Sequence, residues 1–241
     1  MNTKKTRNLI LTLVLGVVVV LTVMFVGAAA QEKRVNEANA PASGGQAPAG
    51  SDQPAAAELN LERRTADDPV ALGAVDAPVV MIEYSDYNCP FCGAYARKTQ
   101  PEIVKKYVDT GQLRIEWRDL PVLGEASMNA AVAARAAGEQ GLFWEFNEAL
   151  YASAPEKGKA DLSEKALLAF AEQIGVPDMA QFAQDMLSPE LEAKVQADLS
   201  EGTQLGLNST PTFVINNQAI PGAQPMDVFT QVIDEALAKA K

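Results

Sequence analysis

Hydrophobic and polar positions divide the 241-residue chain into three stretches of different character. From Leu9 to Ala30 apolar residues run on without a charge, interrupted only by Thr12, Gly16, Thr22 and Gly27. A helix of about 20 apolar residues is enough to cross a bilayer core. Residues 35–57 are rich in Ala, Pro, Gly, Ser and Gln and poor in large apolar groups. Such a segment cannot bury enough surface to repay the entropy of ordering, so a flexible linker is predicted over 31–64. Beyond about residue 65 the apolar positions become periodic, and one globular domain is predicted over 65–241.

Within that domain, Pro78–Tyr84 is a short run rich in β-branched residues and reads as a buried strand, with Glu83 as its anomaly. A turn over Ser85–Asn88 leads into a helical stretch from Phe91 to about Val108, and Leu113–Trp117 alternates as a second strand. Helical periodicity then dominates: Glu125–Gln140, Leu142–Ala152, Ser163–Ile174 closed by Gly175, Asp178–Leu187, and Pro189–Leu205 capped by Ser188. The pattern returns to strands at Thr212–Ile215 and Gln218–Ile220, joined by Asn216-Asn217, and ends in an amphipathic helix over Met226–Ala240. The order strand, helix, strand, helical block, hairpin, helix defines an α/β layer with a helical insertion at about 122–206.

Charge adds an orientation. Lys4, Lys5 and Arg7 precede the apolar run, so residues 1–8 are expected in the cytoplasm and the bulk of the chain outside it. A cleaved signal sequence is the rival reading, since Ala28-Ala29-Ala30 fits a small-residue cleavage site. The length of the run favours a transmembrane anchor over 9–30. Residues 1–34 carry five of the 20 Lys/Arg and one of the 31 Asp/Glu, which leaves about −15 on the remainder. That surface repels phosphate backbones, and no nucleic-acid partner is expected.

Two absences narrow the chemistry. The chain has no histidine, which removes Ser-His-Asp and Cys-His catalysis. It has two cysteines, Cys89 and Cys92, half of what a structural zinc site requires, so neither metal nor cofactor is expected. The pair sits where a strand meets a helix, and its spacing lets the sulfurs close a small ring. Unpaired N–H groups at the helix start favour a thiolate. Cys89 reads as the exposed, attacking sulfur and Cys92 as the buried resolving one. An inert staple is the alternative, but so short a loop gains little from cross-linking. Pro90 suits the first helical turn. Phe91 offers the thiolate apolar contact in place of an imidazole, so the Cys89 pKa is predicted below that of free cysteine but above that of a His-containing relative. Tyr87 and Phe91 are candidates to line a shallow apolar patch for unfolded chains. Trp117, Phe143, Trp144, Phe146 and Tyr151 read as packing between insertion and sheet.

The stretch Gly73-Ala74-Val75-Asp76-Ala77-Pro78, then Ile82-Glu83-Tyr84-Ser85-Asp86-Tyr87-Asn88-Cys89-Pro90-Phe91-Cys92, resembles the opening of DsbA-family thioredoxin-fold proteins. Ser209-Thr210-Pro211-Thr212-Phe213-Val214-Ile215-Asn216 resembles that family's cis-proline segment. The layout is similar to membrane-tethered members from Gram-positive bacteria. The resemblance covers about 65–241 and implies a thioredoxin fold with an inserted helical domain. It also implies Cys89 as nucleophile, Cys92 as resolving cysteine, and a cis Pro211 lying against them with Thr210 before it. Glu83 matches the family's buried acid; on an apolar strand its pKa should rise, and it could relay the proton of Cys92. The competing reading turns Glu83 to solvent. The chain departs from the best-known oxidants by carrying Pro-Phe for Pro-His between the cysteines and Thr210 where the most oxidising members tend to have Val.

The expected activity is dithiol–disulfide exchange that introduces disulfides into reduced, unfolded secreted proteins. A membrane redox partner of the DsbB or VKOR type would reoxidise the pair. A reductase or isomerase using the same cysteines is the second reading, and a chaperone-like binding module with incidental cysteines is the third.

Overall fold

The computed structural model describes residues 60–155 and 158–240. The predicted cytoplasmic terminus, the anchor at 9–30 and most of the linker lie outside the described residues. Among the described residues, no helix is long and apolar enough to cross a membrane.

The elements in chain order are β1 (Ala71–Leu72), β2 (Val79–Ser85), α1 (Pro90–Lys98), α2 (Gln100–Ile103) and a π-helical turn (Val104–Val108). Then follow β3 (Leu113–Asp119), α3 (Glu125–Gly138), α4 (Phe143–Ser153), α5 (Glu164–Ile174), α6 (Met179–Asp185) and α7 (Pro189–Gln204). The chain closes with β4 (Thr212–Ile215), β5 (Gln218–Pro221) and α8 (Met226–Lys239). The five strands form one mixed sheet in the order β1-β3-β2-β4-β5. β2 and β3 run parallel, with Glu83 opposite Trp117, and the remaining pairs are antiparallel. A helical region spanning α3–α7 is inserted between β3 and β4, as predicted.

The two-residue strand β1 gave no periodic signal and was not predicted. The single helix expected from Phe91 to Val108 is broken near Thr99, because Pro101 has no N–H to donate into the preceding turn. Asn216 and Asn217 turn the hairpin with φ of 50° and 63°, the left-handed pair that a tight two-residue turn requires. Ser163 and Ser188 accept the N–H of Ala166 and Leu191 and so start α5 and α7.

All seven residues of β2 and all seven of β3 are buried. One face of the sheet packs Val79, Met81, Leu113, Ile115 and Phe213 against Tyr95 of α1 and Phe229 and Ile233 of α8. The other face packs Val80, Ile82 and Tyr84 with Leu61 and Leu199 of α7. The alternation read in Leu113–Trp117 therefore does not mark a solvent face. Arg114, Glu116 and Arg118 are buried in an ionic layer beneath α7 and the segment that enters the domain. The predicted linker also ends before residue 64. The backbone N–H groups of Arg63 and Arg64 donate to Glu116 at 2.9 and 2.7 Å, and Arg118 donates to the Leu61 carbonyl at 3.0 Å. These bonds fasten 61–64 to the sheet.

A third cluster fills the insertion. The alanines of α3 let it approach closely, and Phe143, Phe146, Leu150 and Tyr151 of α4 pack there with Trp117, Tyr87 and both cysteines. This is the packing role expected of the aromatic stretch.

Candidate active site

β2 delivers the site through a turn that buried polar groups brace. The Asp86 carboxylate accepts the N–H of Asn88 at 2.7 Å and that of Leu123 at 3.0 Å, tying the turn to the loop after β3. Cys89 then caps α1 with an extended backbone, and Pro90 occupies the first helical position, where its missing N–H leaves nothing unpaired.

The two sulfurs are free thiols in different surroundings. Cys89 retains 6% of its surface, whereas Cys92 and its neighbour Tyr95 retain none. The Cys89 thiol donates to the Thr210 carbonyl at 3.3 Å, and the Thr210–Pro211 peptide is cis. A hydrogen bond from the Cys92 thiol lowers the Cys89 pKa to about 6. Burial opposes this, while the Thr210 hydroxyl and the N–H groups of Cys92 and Phe91 add to it. The Cys92 thiol is pushed well up, first by burial and then by Cys89 itself. The arrangement separates one thiol poised to ionise from another kept protonated.

Glu83 lies on the same face of β2 as Ser85 and is fully buried, so it does not point to solvent. Among the described residues neither of its oxygens makes a hydrogen bond of ordinary geometry. Burial pushes its pKa up to about 8, with the nearby Ser85 hydroxyl pulling the other way.

Phe91 stands beside the pair at 65% exposure, as a surface patch requires. Tyr87 does not. It is 2% exposed, stacked on Trp117 at 5.4 Å and on Tyr151 at 5.2 Å, and its hydroxyl accepts from Asn147 at 3.2 Å. The turn points its ring inward, so Tyr87 supports the site from below and offers no surface to a substrate.

The sequence reading passed over Ser85, Asn147 and the polar end of Tyr151, whose hydroxyl lies 3.2 Å from that of Ser85. Ser85 was open to discovery, since strand alternation places residue 85 on the face of residue 83. No local pattern foretells which helical side chains of an insertion will reach the sheet. A groove of about 830 Å³ between α1, the π-helical turn and α4, lined by Ala96, Val104, Trp144 and Tyr151, lies behind the reactive helix.

Residues 65–235 match the family model described as Thioredoxin. The "Probable disulfide bond formation protein D" of Bacillus anthracis is 30% identical over 173 residues, covering 70% of this chain and 78% of that protein. The crystal structure of BdbD from Bacillus subtilis (oxidised) superposes with a TM-score of 0.66 at 23% identity, covering 70% of this chain and 92% of that one. "Na(+)/H(+) antiporter NhaA 3" of Salinispora tropica is 30% identical over 171 residues, 70% of this chain. The chain spans only 25% of the length of that antiporter.

Proposed function

Because the chain belongs to the thioredoxin family, among its DsbA-like thiol–disulfide oxidoreductases, we propose that it introduces disulfides into reduced proteins outside the cytoplasm through Cys89 and Cys92. The observation that carries this reading is the asymmetry of the two thiols. Lowering the Cys89 pKa stabilises the reduced form of the pair, and a stabilised reduced form makes the disulfide the stronger oxidant.

A substrate thiolate attacks the Cys89 sulfur of the Cys89–Cys92 disulfide. The S–S bond breaks, its electron pair goes to Cys92, and Cys92 takes a proton from neutral Glu83. A second substrate thiolate attacks the substrate sulfur of the mixed disulfide and expels the Cys89 thiolate. Two electrons have passed to the protein and the substrate holds a new disulfide. The low Cys89 pKa makes this sulfur the better leaving group. Thr210 and Pro211 frame the sulfur where an extended chain can approach, and Phe91 supplies apolar contact. Reoxidation falls to a membrane partner of the DsbB or VKOR type, which an anchor at residues 9–30 would keep near the domain. The name of the Bacillus anthracis relative supports the oxidising direction.

The test is refolding of a reduced, multi-thiol protein in a redox buffer. The full-length protein should speed formation of native disulfides, Cys89→Ser should abolish the effect, and Cys92→Ser should accumulate a mixed disulfide on Cys89. Unchanged acceleration by Cys89→Ser would favour the binding-module reading.

A further inference from the structure

Cys89 stands at the N-cap of α1, the place from which a side chain accepts the N–H groups of the second and third helical residues. Those residues are Phe91 and Cys92, and Pro90 at the first position brings no N–H of its own. The Gly93 N–H is already taken, donating to the Cys89 carbonyl at 3.2 Å. The cap carries a sulfur where an oxygen is usual, so the two free N–H groups are available to it once it ionises. The chain reaches this cap through a turn in which Asp86 accepts three hydrogen bonds. Its carbonyl accepts the Cys89 N–H at 3.0 Å, one carboxylate oxygen the Asn88 N–H at 2.7 Å, and the other the Leu123 N–H at 3.0 Å. Two oxygens that each accept an N–H are what an ionised carboxylate offers. Asp86 and Asn88 are both buried, so water is a poor substitute for these partners.

We propose that Asp86 is a positioning residue for thiol exchange, whose carboxylate clasps the 86–89 turn to the loop after β3 and thereby sets where the Cys89 sulfur lies. This rests on the reading of Cys89 as the exchanging sulfur. As a thiol, Cys89 donates to the Thr210 carbonyl at 3.3 Å. As a thiolate it can only accept, and the free N–H groups of α1 are the donors at its cap. Both placements need the extended backbone of Cys89, with φ −88° and ψ 118°, and the turn before it fixes where that backbone starts. Without the carboxylate, the Asn88 and Leu123 N–H groups lose their acceptors in a buried place, and the turn must shift to find others. The sulfur shifts with it. The charge of Asp86 acts with the opposite sign, because a carboxylate near a thiolate disfavours it, and its removal alone would make Cys89 the stronger acid. Geometry and charge therefore predict opposite outcomes. The titratable side chain facing Cys89 is Cys92 of α1, while Phe91 of α1 and Thr210 before β4 carry no charge.

The experiment titrates the Cys89 thiolate of the reduced full-length protein by ultraviolet absorbance and equilibrates the Cys89/Cys92 pair with glutathione at neutral pH. It compares wild type, Asp86→Ala, Asp86→Glu and Asp86→Asn. Asp86→Ala removes both acceptors, and Asp86→Glu keeps the charge but is one methylene too long to hold both N–H groups. Asp86→Asn keeps the size and one acceptor while losing the charge. From a wild-type midpoint near about 6, Asp86→Ala and Asp86→Glu should each rise by about one pH unit, a roughly tenfold weaker acid. Their glutathione equilibrium should move roughly fivefold towards the disulfide. Asp86→Asn should move the same way by less, and its matching size keeps the test decisive even if the other two fail to fold. Midpoints that fall in Asp86→Ala and Asp86→Asn, with Asp86→Glu unchanged, would leave only the charge at work and overturn the positioning role. Folded variants that lose stability to urea but keep the wild-type midpoint and equilibrium would make Asp86 purely structural and overturn it as well. A wild-type midpoint at the free-cysteine value of about 8.5 would instead remove the reading of Cys89 on which the role rests.

Discussion

Glu83 on β2 and Glu116 on β3 are both fully buried, on adjacent strands of one sheet, yet they face opposite layers and differ in every other respect. Glu116 accepts from the backbone N–H groups of Arg63 and Arg64 and from the guanidinium groups of Arg114 and Arg118, each of the latter at 3.1 Å. Burial would raise its pKa, but these donors outweigh it and hold the carboxyl below its ordinary value. Among the described residues Glu83 has no such partner, and its pKa rises to about 8. A buried carboxylate surrounded by donors serves the architecture. One left bare can be neutral or charged near working pH, which is what the proton exchange proposed for Glu83 requires.

The largest effect expected from this contrast comes from removing Glu116. Glu116→Ala strands two buried guanidinium groups without their shared counter-charge and should cost about 3–5 kcal/mol. Denaturant unfolding measures it, and a loss below about 1 kcal/mol would erase the distinction between the two sites. Glu83→Met should act with the opposite sign. Filling that site with an apolar side chain should raise stability by about 1–3 kcal/mol while thiol exchange slows. A destabilised Glu83→Met protein would mean that Glu83 has a structural partner after all.

The pH dependence sharpens the same point. Between the ordinary value of 4.5 and about 8, native Glu83 holds a proton that the unfolded chain has released. Stability should therefore fall as pH rises through that window, relative to Glu83→Met, by about 1.4 kcal/mol per pH unit. Below the window the difference should be flat. Unfolding curves at several pH values give the slope, and a slope of zero or of the opposite sign contradicts the raised pKa.

The smallest expected effect is no effect. Ultraviolet titration of the Cys89 thiolate in the reduced protein should give a midpoint near the value of about 6. Glu83→Met should leave that midpoint in place, because the role proposed for Glu83 acts on Cys92. A midpoint at the free-cysteine value of about 8.5 would remove the thiol asymmetry itself.

Much of this layout was legible in the sequence, for local reasons. A β-branched run flanked by Pro78 and a turn reads as a strand whatever surrounds it, and Ser188 before Pro189 announces a helix start. The Glu83 anomaly was visible because a carboxylate on an apolar run is locally inconsistent. The ionic layer was not visible. Arg114, Glu116 and Arg118 alternate as a half-exposed strand does, and only the tertiary placement of α7 and residues 61–64 covers them. Tyr87 was misplaced for a similar reason: adjacency to a reactive cysteine says nothing about which way a turn directs its side chains. Ser85 was legible in principle from β2 alternation, but its partner Tyr151 comes from a helix 66 residues away.

The most direct test is the reduction potential of the Cys89/Cys92 couple, equilibrated against glutathione buffers. An oxidase requires a value well above that of thioredoxin-like reductants, towards the range near about −120 mV. A value near about −270 mV would contradict the account and assign the same two cysteines to a reductase.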